Sequence, residues 1–106
     1  MSLLIKNGTI LTAASEFTGD IYIEGETIRQ IGTNLSVNAS QTIDASGKYV
    51  MPGGVDEHVH YGSFGGRLFE TAEAAAAGGT TTIVDFAPQE KGVPLLDAIR
   101  RQAGKA

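Results

Sequence analysis

Several residue types and patterns are scarce or absent in this sequence, and each absence excludes a class of protein. The 106 residues include no cysteine and no tryptophan. A disulfide framework and a thiolate metal site are therefore both excluded. No apolar run approaches the roughly 20 residues that a membrane-spanning helix needs. Lys and Arg number 8 against 12 Asp and Glu, for a net charge of −4, which argues against nucleic acid or an anionic membrane as a partner.

The beginning of the chain has no basic region followed by a long apolar region, the pattern that marks a secretion signal. We therefore expect a soluble cytoplasmic protein. The length is that of one small domain, and with 42% hydrophobic residues the chain can bury a core. The patterning changes near Pro52 and predicts two parts, residues 1–51 and residues 52–106.

Residues 1–51 have the pattern of short strands separated by turns. The Asn7-Gly8 pair is the strongest two-residue hairpin signal, so we expect Thr9–Thr12 to fold back onto Leu3–Lys6. Ile21 and Ile23 alternate with polar neighbours, as in a half-buried strand. This part is predicted to be a series of antiparallel strands from a small β-sandwich or meander. The further strands are expected at residues 20–24, 27–31, 41–44 and 48–51.

Residues 52–106 have the strand–helix–strand–helix pattern of a parallel sheet or barrel. A strand is expected at 55–60, a helix at 68–77 that Gly78 ends, and a buried strand at 80–86. A second helix is expected to begin near Pro94, with Arg100 and Arg101 in its last turn and Gly104 as its cap. The predicted fold class is α/β, with the first two βα units of a (β/α)8 barrel. Because such a barrel needs about 200 residues or more, we expect this chain to be the front of a longer protein.

The only two histidines of the chain, His58 and His60, stand two residues apart in the strand expected at 55–60. Side chains at positions i and i+2 of a strand point to the same face. Both imidazoles could therefore reach one divalent metal ion, and imidazole suits zinc, iron or nickel. The alternative is two unrelated packing or surface histidines.

Four stretches that surround or include this pair resemble one family when they are taken together. They are LIKNGT (4–9), IDASGKYV (43–50), PGGVD with the following H-x-H (52–60) and AAAAGGTTTIVDF (74–86). Their order and content resemble the N-terminal portion of the dihydropyrimidinase and hydantoinase family, cyclic amidohydrolases within the metal-dependent amidohydrolase superfamily.

The resemblance implies a β-sandwich half that precedes a metal-bearing barrel. It implies that His58 and His60 bind the more buried of two divalent metal ions, usually zinc. Asp56 would make a hydrogen bond beside them, either to the other nitrogen of a metal-bound imidazole or in support of the local structure. The family's other ligands, which are a bridging carbamylated lysine, two histidines and an aspartate, come from later strands, so no catalytic residue is assigned within this chain.

The implied reaction is hydrolysis of a ring C–N amide bond in a dihydropyrimidine or hydantoin by a metal-bound hydroxide. The implied partners are a small cyclic amide substrate and further copies of the protein, as a tetramer or dimer. The loop of residues 61–68 is shorter than is usual in the family. Within it Phe64 is either the side chain that gates the substrate or an anchor of the loop. For Asp85 we expect a structural role at a strand end rather than direct catalysis.

Three alternatives to this function stay open. The enzyme could be an allantoinase or a dihydroorotase, whose substrate contacts lie beyond residue 106. It could be a non-catalytic, oligomerising homologue of the collapsin-response mediator kind, although those proteins generally lack the metal histidines.

The 106 residues by themselves are predicted to be inactive and to bind metal weakly, because a closed zinc site needs three or four protein ligands. Open strand edges should favour association.

Overall fold

The computed structural model describes residues 1–60 and 72–105. The chain divides into two compact units, Met1–Pro52 and Gly53–Ala106. The first unit is built from strands, and the second from strands and helices.

The strands of the first unit form one mixed sheet. They are β1 (Ser2–Leu11), β2 (Glu16–Glu24), β3 (Thr27–Gly32), β4 (Gln41–Asp44) and β5 (Tyr49–Val50). The order across the sheet is β3-β2-β1-β4, and β5 also pairs with β1. The β1–β2 and β2–β3 pairs are antiparallel, whereas β4 and β5 run parallel to β1.

The hairpin predicted at Asn7-Gly8 is wrong. β1 continues through both residues, and the irregularity there is a bulge between Ile5 and Gly8 in the register with β2. Asn7 has a φ of 61°, which Asn tolerates better than most residues. One class of bulge uses this left-handed backbone, as a tight type I′ hairpin turn does. The actual β1–β2 turn lies at Thr12–Ser15, where the amide of Thr12 donates to the carbonyl of Ser15 at 2.9 Å.

The all-antiparallel arrangement is also wrong, because β4 and β5 pair with β1 in parallel. β3 runs in the same direction as β1, and residues 33–40 carry the chain back before β4 begins. β4 pairs with the part of β1 before the bulge, and β5 pairs with the part after it. The chain leaves the ladder between them at residues 45–48, and the amide of Ala45 donates to the carbonyl of Lys6 at 2.8 Å. The amide of Thr9 donates to the carbonyl of Lys48 at 2.9 Å.

The core of the first unit is small and lies around β1 and β2. Its buried apolar residues are Leu4, Ile10, Ile21 and Ala45. One face of the sheet carries an apolar cavity of about 290 Å³, lined mainly by isoleucines of β1, β2 and β3 together with Val50 and Met51. Ile28 and Met51 on this face are 56% and 58% exposed, so the face is only partly covered within the unit.

The second unit contains β6 (Gly54–Val59), α1 (Ala72–Ala77), β7 (Thr80–Asp85) and α2 (Leu95–Ala103). β6 and β7 pair in parallel, which confirms the predicted strand–helix–strand–helix order. The predicted start of the first helix at residue 68 lies outside the described residues. Gly104 caps α2 as expected, with its amide donating to the carbonyl of Arg100 at 2.9 Å.

The start of β6 lies very close to β7. The amide of Gly54 donates to the carbonyl of Gly79 at 2.8 Å, and Gly79 has a φ of 89° that favours glycine. A Cβ at Gly53 would clash with the side chain of Thr81, so this position requires glycine for space. Across residues 1–60 and 72–105, no helix is long and apolar enough to cross a membrane.

Candidate metal centre

The two histidines meet at the C-terminal end of β6. His58 lies in the strand, and His60 follows its last residue, Val59. Their Nε2 atoms are 3.2 Å apart, and the ring centroids are 5.1 Å apart with an edge-to-face angle of 69°. Two nitrogens that bind one tetrahedral zinc ion at about 2.0–2.1 Å are separated by about 3.4 Å. The spacing of this histidine pair therefore fits two ligand positions on a single ion.

Phe86 packs against both imidazoles. β6 and β7 are parallel, and Val59 pairs with Asp85, so the next residues along the two strands, His60 and Phe86, leave the sheet side by side. The Phe86 ring lies 4.6 Å from the ring of His58 and 4.9 Å from that of His60, at angles of 44° and 24°. No pattern in the sequence predicts a role for Phe86 at the site. The available signal was its place directly after a parallel strand, at the same sheet edge as the H-x-H pair.

Asp56 contacts the backbone of the histidine segment. Its Oδ1 atom accepts a hydrogen bond from the amide of His58 at 3.1 Å. The register between β6 and β7 shifts between Asp56 and Val59, and this bond supports the irregular part of the strand. The role suggested for Asp56 beside a metal ligand stays a prediction.

Asp85 links β7 to α2. Its Oδ1 atom accepts from the amide of Phe86 at 2.8 Å, and its Oδ2 atom accepts from Nε2 of Gln102 at 2.6 Å. The first contact holds the backbone at Phe86, and the second connects the end of β7 to α2. They agree with the structural role expected of Asp85.

The described residues supply only part of a metal shell. Within residues 1–60 and 72–105, no group of three or more His, Cys, Asp or Glu side chains is placed to hold a metal ion. His58 and His60 therefore fit two positions, and any further ligands come from elsewhere. Phe64, the predicted gate residue, lies outside the described residues.

Comparison with known proteins identifies the relatives of this chain. No protein-family model matches it. The D-hydantoinase of Geobacillus stearothermophilus is 47% identical over 112 aligned residues, which cover 100% of this chain and 24% of the relative. The chain is homologous to the N-terminal portion of hydantoinases. It thus spans about a quarter of the length of its curated hydantoinase relatives.

Solved structures of hydantoinases and dihydropyrimidinases share this fold. The dihydropyrimidinase of Brevibacillus agri superposes with a TM-score of 0.91 at 40% identity, over 100% of this chain and 24% of that structure. The L-hydantoinase of Arthrobacter aurescens gives a TM-score of 0.84 at 34% identity, over 97% of this chain and 24% of that structure. The mixed sheet and the parallel β6–β7 pair therefore belong to a fold that D-specific and L-specific hydantoinases have in common.

Proposed function

We propose that this chain is part of a cyclic amidohydrolase that opens the ring of a hydantoin or dihydropyrimidine by hydrolysing a C–N amide bond. The names of the relatives support this substrate class. In the proposed whole protein, β6 and β7 are the first two strands of a (β/α)8 barrel. The barrel would carry a site with two divalent metal ions, most simply zinc, and the protein would assemble as a cytoplasmic homo-oligomer.

One observation carries the assignment of His58 and His60 as metal ligands, namely their Nε2 separation of 3.2 Å. At this separation one Nε2–H can donate a hydrogen bond to the other Nε2 when no ion is bound, and a divalent ion would take the place of that proton. In addition, the pair stands at the C-terminal end of a parallel strand, which is the end where barrel enzymes carry their active sites. A divalent ion held there would activate water and polarise the substrate carbonyl.

The chain's own residues contribute binding and positioning. His58 and His60 would present neutral imidazole nitrogens to the ion. Asp56 would hold the backbone at His58 through its 3.1 Å hydrogen bond. Asp85 would hold the end of β7 through the amide of Phe86 and the side chain of Gln102. Proton transfer to the leaving nitrogen would require a residue outside this chain.

The test uses the full-length protein that contains this chain, loaded with Zn²⁺ and given dihydrouracil and a racemic substituted hydantoin. We expect the N-carbamoyl product to appear. His58→Ala and His60→Ala should each lower both bound zinc and turnover by about 100-fold or more, because even loss of a residue that only supports a ligand costs 10–100-fold. Gln30→Ala on β3 is the control and should retain both.

Two outcomes would contradict the proposal in different ways. Undiminished zinc content in both histidine variants would remove the metal assignment. Full zinc content without hydrolysis of either substrate would remove the reaction, and it would favour a non-catalytic homologue or an allantoinase or dihydroorotase activity.

A further inference from the structure

We propose that Phe86 is a positioning residue that orients His58 and His60 for a shared metal ion. The inference rests on the proposed metal role of the two histidines and adds to it the side chain that sets their geometry. Phe86 would not touch the ion or the substrate. It would act through the two imidazoles, by restricting the orientations that their rings adopt.

The first argument is the arrangement of the three rings. His58 and His60 are both exposed at the end of β6, where side chains ordinarily sample several rotamers. Phe86 contacts both of them, with ring centroids 4.6 and 4.9 Å away, within the range of favourable aromatic pairs. One ring therefore restricts two ligands at once. Less rotamer freedom remains to be lost when an ion binds, which is the advantage of preorganisation.

The second argument concerns the environment of Phe86. Its side chain is 43% exposed in the described part of the chain, so only part of its apolar surface is buried against the rest of the unit. Among the described residues, its ring contacts are those with the two imidazoles. A substitution at Phe86 should therefore affect the histidines more than the stability of the unit.

The third argument is electrostatic. Coordination to a divalent cation draws electron density from an imidazole and makes its ring more positive. The face of a phenyl ring is negative, so its attraction to a nearby positive group increases. Phe86 lies nearly parallel to His60, at 24°, and would favour the metal-bound state over the free state.

The experiment titrates Zn²⁺ into the metal-free, histidine-labelled full-length protein that contains this chain and follows the imidazole resonances of His58 and His60 by NMR. Phe86→Leu, which keeps an apolar side chain but removes the aromatic face, should raise the apparent Kd about 3- to 10-fold, the range that aromatic pairs support. Phe86→Tyr retains the ring and should stay within about twofold of the original. Phe17→Leu is the matched control, since Phe17 is 38% exposed and lies in β2, and its Kd should not change.

A second measurement covers the possibility that Phe86→Leu disturbs folding. In the unsubstituted chain without metal, nuclear Overhauser contacts should connect the Phe86 ring to both imidazole rings, and their absence would overturn the proposal. An unchanged Kd in a folded Phe86→Leu chain would overturn it while leaving the metal assignment intact. Failure of the unsubstituted full-length protein to show any zinc-dependent shift at His58 and His60 would remove the metal assignment and the positioning role together.

Discussion

The backbone amide of Asn7 in β1 donates a 2.9 Å hydrogen bond to the carboxylate of Asp20 in β2. Asp20 is only 2% exposed, and its other oxygen accepts from the amide of Leu35 at 2.8 Å. The side chain of Asn7 donates in turn to Asp44 of β4 at 3.0 Å. The bulge in β1 is therefore the point at which three strands and a loop are joined.

Substitutions of Asn7 should separate backbone strain from the loss of this junction. Asn7→Ala is expected to destabilise the first unit by about 2–3 kcal/mol, since an L-residue in the left-handed region costs about 1–2 kcal/mol and a hydrogen bond contributes about 0.5–1.5 kcal/mol. Asn7→Gly relieves the backbone strain but still loses the side-chain hydrogen bond. It should therefore lower the free energy of unfolding by about 1 kcal/mol less than Asn7→Ala does. Urea unfolding provides the measurement.

Asn34 provides the matched comparison for Asn7, because its φ of 52° is also left-handed. The free energies of unfolding of Asn34→Ala and Asn34→Gly should differ by a similar amount. If alanine and glycine at Asn7 proved equally destabilising, the left-handed conformation of the bulge would be refuted.

The substitution Asp20→Asn should lower the urea midpoint of the first unit. An amide side chain has one oxygen and one NH2 group, so it can accept from only one of the two backbone amides and presents a donor to the other. A buried donor that loses its acceptor is costly. Glu16→Gln, also in β2 but exposed, is the control. A midpoint for Asp20→Asn as high as that of the control would show that the two amide bonds do not matter.

Acid should destabilise the first unit. The hydrogen bond from the Asn7 amide holds the pKa of Asp20 below its ordinary value, and the Ser46 hydroxyl does the same for the pKa of Asp44. Each carboxyl thus binds its proton less readily in the folded state than in the unfolded chain. Their contribution is present above the unfolded pKa of about 3.9, and it is lost as the pH falls through the lower folded pKa.

Urea midpoints measured from neutral pH down to about pH 2 test this linkage. The midpoint should fall below about pH 4 in the unsubstituted chain and fall less in Asp20→Asn and Asp44→Asn. A urea midpoint that rises on acidification would contradict the lowered pKa values of Asp20 and Asp44 in the folded state.

Two adjacent glycines at the start of β6 should respond very differently to alanine. A Cβ at Gly53 would lie 2.7 Å from Cβ of Thr81 and would clash with its Oγ1 and Cγ2, whereas at Gly54 the nearest atom is 3.6 Å away. Gly53→Ala should therefore destabilise the β6–β7 pair by about 1–3 kcal/mol through overpacking. Gly54→Ala should be nearly neutral. Thermal unfolding of both variants checks this, and equal losses would mean that Thr81 moves aside freely.

The second unit was the easier part to predict from the sequence. Its elements are specified locally: Gly78 ends α1, Gly104 caps α2, and β-branched residues fill β7. The first unit was harder, because the Asn7-Gly8 signal suits a hairpin and a bulge equally. What selects the bulge is its bonding to Asp20 and Asp44, which are 13 and 37 residues away in sequence. A local pattern contains no information about such partners.

The candidate site, too, was predictable from the sequence only where its features are local. The period-two spacing of His58 and His60 was sufficient to predict that they share a face. The contact of Phe86 with them was not predictable, since it depends on the pairing of Val59 with Asp85 across β6 and β7. A shift of that register by one residue would turn the aromatic ring to the other face of the sheet.

The central position of β1 has a consequence for how the chain folds. β2 can pair with β1 as soon as the Thr12–Ser15 turn closes, but Ile10 also pairs with Val50, far along the sequence. Closing the larger loop costs more chain entropy, and non-local pairings slow folding. On the ribosome, β1 therefore keeps one edge open until residues 41–50 have been synthesised. We expect the addition of β4 and β5 to β1, rather than the β1–β2 hairpin, to limit the folding rate of the first unit.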